Sequence, residues 1–568
     1  MHNLVPHFIQ ENFKAGKFQG RFPAVGFFLD ISGFSSMTES LMEHGPHGAE
    51  VLAGIMRRAF DPLTKSVYTQ GGFIATFAGD AFTALFPLPS PDKVGDEEAG
   101  CLRALAAAWA AQETMAATRE WQTHYGSFEL HAKVGLAVGE ASWGIVASQD
   151  RRRAACYFRG AAVDGCARAE HMAQAGEIVM DAAFASRVAR WVEAQPVDDH
   201  YRLTRVTAPL PSPQAVDLPP ADAQVVARFY PESLLSQAHS GEFRQVVNLF
   251  INLPTVRTEA QLDVFMQTLF ELQGRYGGLL NRLDFGDKGS NLLLFWGAPT
   301  AYENDIERAL NFLLALQPLT SIPIHAGVAY QIAHAGFIGS PLLEEYTCYG
   351  KGVNLAVRLM SAAPRGEIWV DERIARRAMA RFELDLEGEM AFKGFAEKHK
   401  VYVLYDRKEE IEAIYPGELL GRDPELGRLE AFVAPLWRGR YAGALVVWGD
   451  PGIGKSRLVH AFQASRLFET HQAVWGLCQA DATLREPFNP LHYWLRHYFG
   501  QSNVVTEARN KRSFNQKLDQ LIGVISHADP ALAGELDRTR SFLGALVDLH
   551  WPDSLYEQLD PHGRYENS

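Results

Sequence analysis

The succession of strand-like and helix-like segments in this chain occurs twice. The first pass runs through PAVGFFLDISGF (23–34), a long helical stretch and GGFIATFAGDAFTALF (71–86). It continues with an Ala-rich helix over 101–118, HAKVGLAVGEASWGIV (131–146) and RGAAVDGCARAEHMAQ (159–174). After TAPLPSPQAVDLPPADAQ (207–224), the same order returns as VVNLFINLPTV (246–256), a helix, YGGLLNRLDFGDKGSNLLLFWG (276–297), a helix over 302–317, IPIHAGVAYQIAHAGFIG (322–339) and YGKGVNLAVRLMSAA (349–363). Proline removes ladder donors and fixes extended backbone, so 207–224 reads as a linker between two copies of one unit. Strands and helices alternating around a central hairpin predict a βαββαβ-like α+β unit, an antiparallel sheet with helices on one face. At 568 residues the chain is too long for a single core. The boundaries read as 1–206, a linker over 207–240, 241–408, and a third domain over 409–568.

Composition removes several classes of function. Hydrophobic residues make up 47% and charged residues 21%, ordinary globular usage. The formal net charge is −13, and the densest basic cluster, Arg151 to Arg153, reads as a solvated turn, so a nucleic-acid partner is not expected. Cys101, Cys156, Cys166, Cys348 and Cys478 show neither a CxxC nor a zinc spacing and read as core thiols. The N-terminus lacks the regions of a signal peptide, and no apolar run approaches the ~18 residues of a membrane helix. A cytoplasmic protein is expected.

The chemistry lies at the strand ends. Asp30 and Asp80 each follow an apolar run, which places two carboxylates at the ends of buried strands. Magnesium takes one or two protein carboxylates and leaves its other positions to water and phosphate oxygens, so this pair suits two divalent cations and a nucleoside triphosphate. Aligned on strand ends, Asp30 falls opposite Asn252 and Asp80 opposite Gly289, with three extra residues between Gly278 and Gly289; the second half lacks both carboxylates. The later motif runs the other way. VNLAVR supplies Asn354 and Arg358, where the first half has Asp164 and Arg168. An i, i+4 spacing puts the amide and the guanidinium on one helix face, able to orient a ribose and neutralise a phosphate. Each motif alone would serve as an ordinary turn or helix face, but together they form one complete set divided between two halves.

LDISGF, FAGD and YGKGVNLAVR, in this order and spacing, resemble the class III nucleotidyl cyclases, within them the soluble adenylyl cyclases, over residues from about 20 to 405. The resemblance implies two ferredoxin-like cyclase domains paired within one polypeptide, with one active and one degenerate site. It implies two Mg²⁺, with Mn²⁺ or Ca²⁺ as substitutes, held by Asp30, Asp80 and the Ile31 carbonyl. The amides of Ser32, Gly33 and Phe34 would face the triphosphate, Lys133 its β- and γ-phosphates. Asn354 would orient the ribose, Arg358 would act in the transition state, and Thr347 would contact the purine. Arg282 stands where this group carries lysine, facing adenine N1, and Lys288 is the alternative donor. The reaction implied is in-line attack of the ribose 3′-hydroxyl on the α-phosphorus, converting ATP to 3′,5′-cyclic AMP and pyrophosphate. A guanylyl or promiscuous purine cyclase, and a silent nucleotide-binding scaffold, are the alternatives. Thr76 replaces a lysine of the bicarbonate pocket and Arg168 is displaced by one position, so bicarbonate activation is not expected.

In the third domain, GDPGIGKS (449–456) follows the apolar GALVVWG (443–449), expected as a strand, and precedes a helical run. This is the P-loop pattern: Gly449, Gly452 and Gly454 let amides wrap phosphates, Lys455 reaches the β- and γ-phosphates and Ser456 holds magnesium, so Mg-ATP is expected there. With LLGRDPELGRLEAF upstream and REPFNPLHYWLR (485–496) downstream, the segment resembles an AAA-related or STAND NTPase, an α/β module that would regulate the cyclase pair and offer an oligomerisation surface. ALVDLHWPD (545–553) nominates Asp548 as its magnesium-polarising acid; the other expectation is that this acid lies beyond residue 568 in a longer protein.

Overall fold

The computed structural model describes residues 2–89, 96–235, 241–254, 256, 258–286, 289–302, 304–320, 322–395, 397–408, 419–449, 453–471, 473, 475–476, 478, 489–501, 507–560, 563–564 and 567. The chain divides into two compact units, the first comprising Met1–Met379 and Glu383–Asp406, the second Ala380–Phe382 and Arg407–Ser568.

In the first unit the duplicated sequence becomes two matching eight-stranded sheets. One is built from β1 (Gln19–Ser32), β2 (Phe73–Ala78) and β3 (Ala81–Pro87), then, after a separate hairpin of β4 (Glu120–Thr123) and β5 (Gly126–Glu129), from β6 (His131–Ala147), β7 (Ala154–Arg159), β8 (Ile178–Asp181), β9 (Val192–Val197) and β10 (His200–Val206). Its order is β2-β3-β1-β6-β8-β10-β9, with β7 also on β6. The other uses β11 (Glu242–Leu253), β12 (Leu279–Gly286), β13 (Gly289–Trp296), β14 (His325–Ser340), β15 (Leu343–Tyr349), β16 (Ile368–Asp371), β17 (Phe382–Met390) and β18 (His399–Arg407). Its order, β12-β13-β11-β14-β16-β18-β17 with β15 on β14, repeats the first strand for strand. Both sheets are mixed, because β8 and β16 lie parallel to β6 and β14.

Helices cover both faces of each sheet, not one as expected. Along β1, Val25, Phe27, Leu29 and Ile31 point into a core with Leu52, Ile55, Phe60 and Leu63 of helix Gly45–Tyr68 and with Cys101 and Leu105 of helix Asp96–Ala117. The alternate residues are small where a second helix, Ala161–His171, crosses. A Cβ on Gly26 would lie 2.0 Å from the Ala162 carbonyl oxygen, and one on Gly135 2.1 Å from that of Cys166. The second half repeats the device, with Gly327 2.2 Å by the same measure from the Ala356 carbonyl of helix Lys351–Ala362. Glycine thus seats the functional helices against the strands.

The cores of the two halves are shared. Ile338, Leu343 and Tyr349 join the first-half cluster, and Ala24, Leu85, Trp143 and Phe158 pack in one cluster with Val246, Phe250 and Phe295. Thr64 donates to Ser340 at 2.7 Å, and Arg159 pairs with Glu259 at 3.1 Å. Helix Ala223–Phe229 buries Val225 and Val226, so the stretch after the proline-rich run is folded onto this unit. Of the basic cluster, Arg151 and Arg152 are exposed, whereas Arg153 donates to the Phe270 carbonyl at 3.2 Å.

In the second unit the regular elements described from Asp423 onward are helices, with small cores around Leu429, Val433, Leu458 and Phe462 and around Phe499, Phe514 and Leu518. The expected strand at 443–449 is not formed, and Val446 and Trp448 are exposed. A strand exists only within a ladder, and the described residues of this unit beyond Arg407 offer none to pair with. Among the described residues, no helix is long and apolar enough to cross a membrane.

Candidate active site

The register corrects one alignment made from sequence. Asp30 pairs with Ala81 and Lys133, whereas Asn252 pairs with Asn291 and His325, so Asp30 and Asn252 are equivalent as expected. Counting one step back from Ala81 and Asn291, Asp80 corresponds to Ser290, not Gly289, and the second hairpin is longer by four residues rather than three. The apolar runs mislead because Phe86 matches Trp296, not Phe295: each lies opposite an equivalent valine, Val25 or Val247. Arg282 and Thr76 occupy equivalent positions, each just past a β-bulge, paired with Leu293 and Thr83.

In the first half, Asp30 lies two residues before the end of β1, and Asp80 lies in the turn joining β2 and β3. The Ile31 amide donates to the Asp80 carbonyl at 3.1 Å, which ties the two strand ends together. Lys133 Nζ lies 3.2 Å from Asp30 Oδ2 and is also bonded to Glu170, on helix Ala161–His171. Burial alone would lower the Lys133 pKa, but these two carboxylates outweigh it and hold it raised. Burial, reinforced by the charge of Asp30, pushes Asp80 up to about 7. Asp80, close enough to feel the charge of Asp30, makes with it a carboxylate pair whose chemistry fits a divalent cation. Gly33 takes a left-handed φ of 93° and opens helix Phe34–Met42; a Cβ there would meet the Glu129 carbonyl oxygen at 2.3 Å. The first amides of that helix have no intrahelical acceptor, an arrangement that suits an anion. Ser32 Oγ donates to the His131 carbonyl at 3.3 Å.

In the second half, Thr347 on β15 donates to Asn281 Oδ1 at 3.2 Å. Asn281 Nδ2 donates to the Tyr346 carbonyl at 2.8 Å and to Glu345 Oε1 at 3.2 Å. Arg282 donates to the Phe77 carbonyl of the first half at 2.9 Å and is ion-paired with Asp284. Glu345 accepts from the Phe77 amide at 3.2 Å, and burial pushes its carboxyl up to about 7. Asn354 is exposed and Arg358 half-buried on helix Lys351–Ala362. Among the described residues no hydrogen bond or ion pair joins either of them to Asp30 or Asp80. The two groups are linked through the segments that carry them: Phe34 packs edge-on against Tyr349 at 5.6 Å, and Glu39 pairs with Lys351 at 3.1 Å.

Glu170, Asn281 and Glu345 were not singled out from sequence. Glu345 leaves a trace there, as a carboxylate two residues from Thr347 on the inward face of a buried strand. Asn281 leaves none, because it is exposed to view only by the bulge between Leu280 and Arg282. Lys288 lies outside the described residues.

The pseudo-equivalent position is built differently. Tyr157 and Thr347 hold matching register positions, opposite Gly144 and Gly336. Tyr157 packs on Phe285 with ring centroids 4.7 Å apart, and the Arg159 guanidinium lies over both rings at 5.5 and 5.2 Å. Asn252 there donates to Asn291 at 2.7 Å. Aromatic packing and an amide pair stand where the other site has a threonine and a carboxylate.

In the second unit, Gly454 (φ 96°) precedes helix Lys455–Gln463, which also carries Ser456, and Lys455 Nζ donates to the Gly449 carbonyl at 2.9 Å. Gly452 lies outside the described residues. Asp548 is exposed in a turn at φ 61°, 3.3 Å from Arg496, not at the end of a strand.

Residues 302–406 match the adenylate and guanylate cyclase catalytic domain, and residues 418–559 match the AAA ATPase domain. The chain therefore combines a segment of the adenylate and guanylate cyclase catalytic domain with an AAA ATPase domain. It is similar to adenylate cyclase type 10 of Homo sapiens, 22% identical over 603 residues that cover 92% of this chain and 36% of that protein. The chain thus spans about a third of the length of this relative. Among solved structures it is similar to the adenylyl cyclase CyaB from P. aeruginosa (21% identity, TM-score 0.27, 30% of this chain and 97% of that one). It is also similar to a class III adenylyl cyclase-like ATP-binding protein from Pseudomonas aeruginosa (11% identity, TM-score 0.46, 63% of this chain and 85% of that one).

Proposed function

We propose that the first unit is an adenylyl cyclase, converting ATP to 3′,5′-cyclic AMP and pyrophosphate at one composite site between its paired halves, and that the AAA ATPase domain regulates it. The supporting observation is complementarity. The first half keeps Asp30, Asp80 and Lys133 and the second keeps Thr347, Asn354 and Arg358, while the reciprocal set has Asn252, Ser290 and Tyr157.

Asp30, Asp80 and the Ile31 carbonyl would hold two magnesium ions, which supply charge neutralisation and acidify the ribose 3′-hydroxyl. The amides of Ser32, Gly33 and Phe34 would bind the triphosphate. Lys133, tethered by Glu170, would steady its β- and γ-phosphates. Asn354 would hold the ribose so that the 3′-hydroxyl faces the α-phosphorus, and Arg358 would neutralise the departing pyrophosphate. Thr347 and Arg282 would face the base. No protein nucleophile is needed. In the second unit, Lys455 and Ser456 would bind Mg-ATP separately, and the domain would offer a surface for self-association. The proposed location is the cytoplasm.

The test is product chromatography after incubating the full chain with ATP or GTP and magnesium or manganese. Cyclic AMP from ATP is expected. Cyclic GMP in equal yield would make the protein a promiscuous purine cyclase, and no cyclic product from either would leave a nucleotide-binding scaffold.

A further inference from the structure

We infer that Asn281 sets purine choice at a distance, by fixing the direction of the Thr347 hydroxyl proton so that only lone pairs face the base. This rests on the cyclase reading and deepens it, because Thr347 taken alone can either donate or accept and would tolerate either purine.

Asn281 is the additional residue in a β-bulge between Leu280 and Arg282, which frees it from the ladder and turns its side chain toward β15. There its orientation is determined by chemistry. The Tyr346 carbonyl, 2.8 Å from Nδ2, can only accept, and so can the Glu345 oxygen at 3.2 Å when ionised. A flipped amide would set its own oxygen against the Tyr346 carbonyl, so Nδ2 faces Tyr346 and Oδ1 faces Thr347 whatever the charge on Glu345. Oδ1 can only accept, and Thr347 Oγ1 lies 3.2 Å from it, so Thr347 is the donor. Its single proton is thereby used. Both residues are buried, at 3% and 9% exposure, so bulk water competes little for that hydrogen bond.

A threonine oxygen offering only lone pairs accepts from the 6-amino group of adenine and opposes the 6-oxo group of guanine. The first half makes the control within the same molecule: its matching bulge, between Ile74 and Thr76, holds Ala75, which has no polar group. Asn281 is thus a positioning residue for specificity, separate from Arg282, whose guanidinium is engaged by Phe77 and Asp284.

The experiment compares kcat/KM for ATP, GTP and purine riboside triphosphate, which lacks the 6-amino group, in the wild-type full chain and in Asn281→Ala. A mispaired buried hydrogen bond is worth roughly tenfold to hundredfold, so the wild type should favour ATP over both other nucleotides by about that factor. Asn281→Ala should narrow the ATP/GTP ratio to about threefold through a gain for GTP, which simple structural damage would not produce. Thr347→Ser, which keeps the hydroxyl, should retain ATP preference. If Asn281→Ala fails to fold, the wild-type comparison decides: equal use of purine riboside triphosphate and ATP overturns the inference. An unchanged ATP/GTP ratio in folded Asn281→Ala overturns it as well, with the cyclase reading intact. Absence of any cyclic product overturns the cyclase reading and this inference with it.

Discussion

Lys133 stands opposite Asp30 across β6 and β1, and its ammonium lies 3.2 Å from the Asp30 carboxylate. Both residues lie on the sheet face over which helix Ala161–His171 runs, and that helix supplies Glu170 as the second partner of the same ammonium. A strand pair seated tightly under a helix by Gly26, Gly135 and Gly139 therefore fixes a cation beside the carboxylates. The second half has His325 where Lys133 stands and Asn252 where Asp30 stands, so the same backbone carries no such charge pair.

This asymmetry predicts one productive site. Asp30→Ala or Asp80→Ala should lower cyclic nucleotide formation by at least ~100-fold, the scale of losing a direct charge contact. Asn252→Ala should keep activity within about threefold, although loss of its bond to Asn291 should lower thermal stability slightly. Turnover assays on the three variants, each confirmed as folded by circular dichroism, check this; comparable loss in all three would contradict a single site.

Arg358 should matter most while the pyrophosphate is leaving. Arg358→Ala is expected to reduce kcat ~100–1,000-fold while KM stays within a few-fold. A raised KM with unchanged kcat would assign the guanidinium to ground-state binding.

Much of this arrangement was legible in the sequence, and the failures have physical causes. The duplication, the equivalence of Asp30 with Asn252, and the opposition of Thr76 to Arg282 could be read because apolar runs and turn glycines mark strand ends. The pairing of Asp80 with Ser290 could not, because a hairpin can lengthen without changing the hydrophobic pattern on either side. Helices on both faces were hidden for a related reason: Gly26 and Gly135 look like weak strand residues until the helix that needs their missing side chains is in place. Counting matched Arg282 to Thr76, as the register does, but its partners Phe77 and Asp284 belong to tertiary structure. The segment 443–449 has the composition of a strand, and composition does not supply a partner.

The P-loop and the cyclase site are built from separate segments, which predicts separable losses. In the full chain, Lys455→Ala should abolish nucleotide binding at the P-loop, read as loss of the fluorescent-nucleotide binding that Asp30→Ala leaves in place. Basal cyclase activity should persist within a few-fold. Complete loss of cyclisation in folded Lys455→Ala would instead make the AAA ATPase domain part of the active assembly.

Glu345 gives a pH prediction with a definite sign. Burial raises its carboxyl from an ordinary 4.5 to about 7, with Arg282 opposing the shift and Asp284 adding to it. The folded state thus holds this proton more tightly than the unfolded chain does. Its contribution to stability is complete below about 4.5 and is lost as pH rises through about 7, on the order of 3 kcal/mol across the window. Glu345→Gln cannot titrate. It retains an oxygen for the Phe77 amide but turns an amide nitrogen toward Asn281, so it should be the less stable protein at pH 5. Between pH 5 and 8 the wild type should lose stability relative to Glu345→Gln, and the two melting curves should converge or cross. Because every other titrating group is common to both proteins, the difference in melting temperature isolates this carboxyl. A difference that stays constant from pH 5 to 8 would show that Glu345 is ionised throughout, its charge being met by Arg282 rather than by a proton.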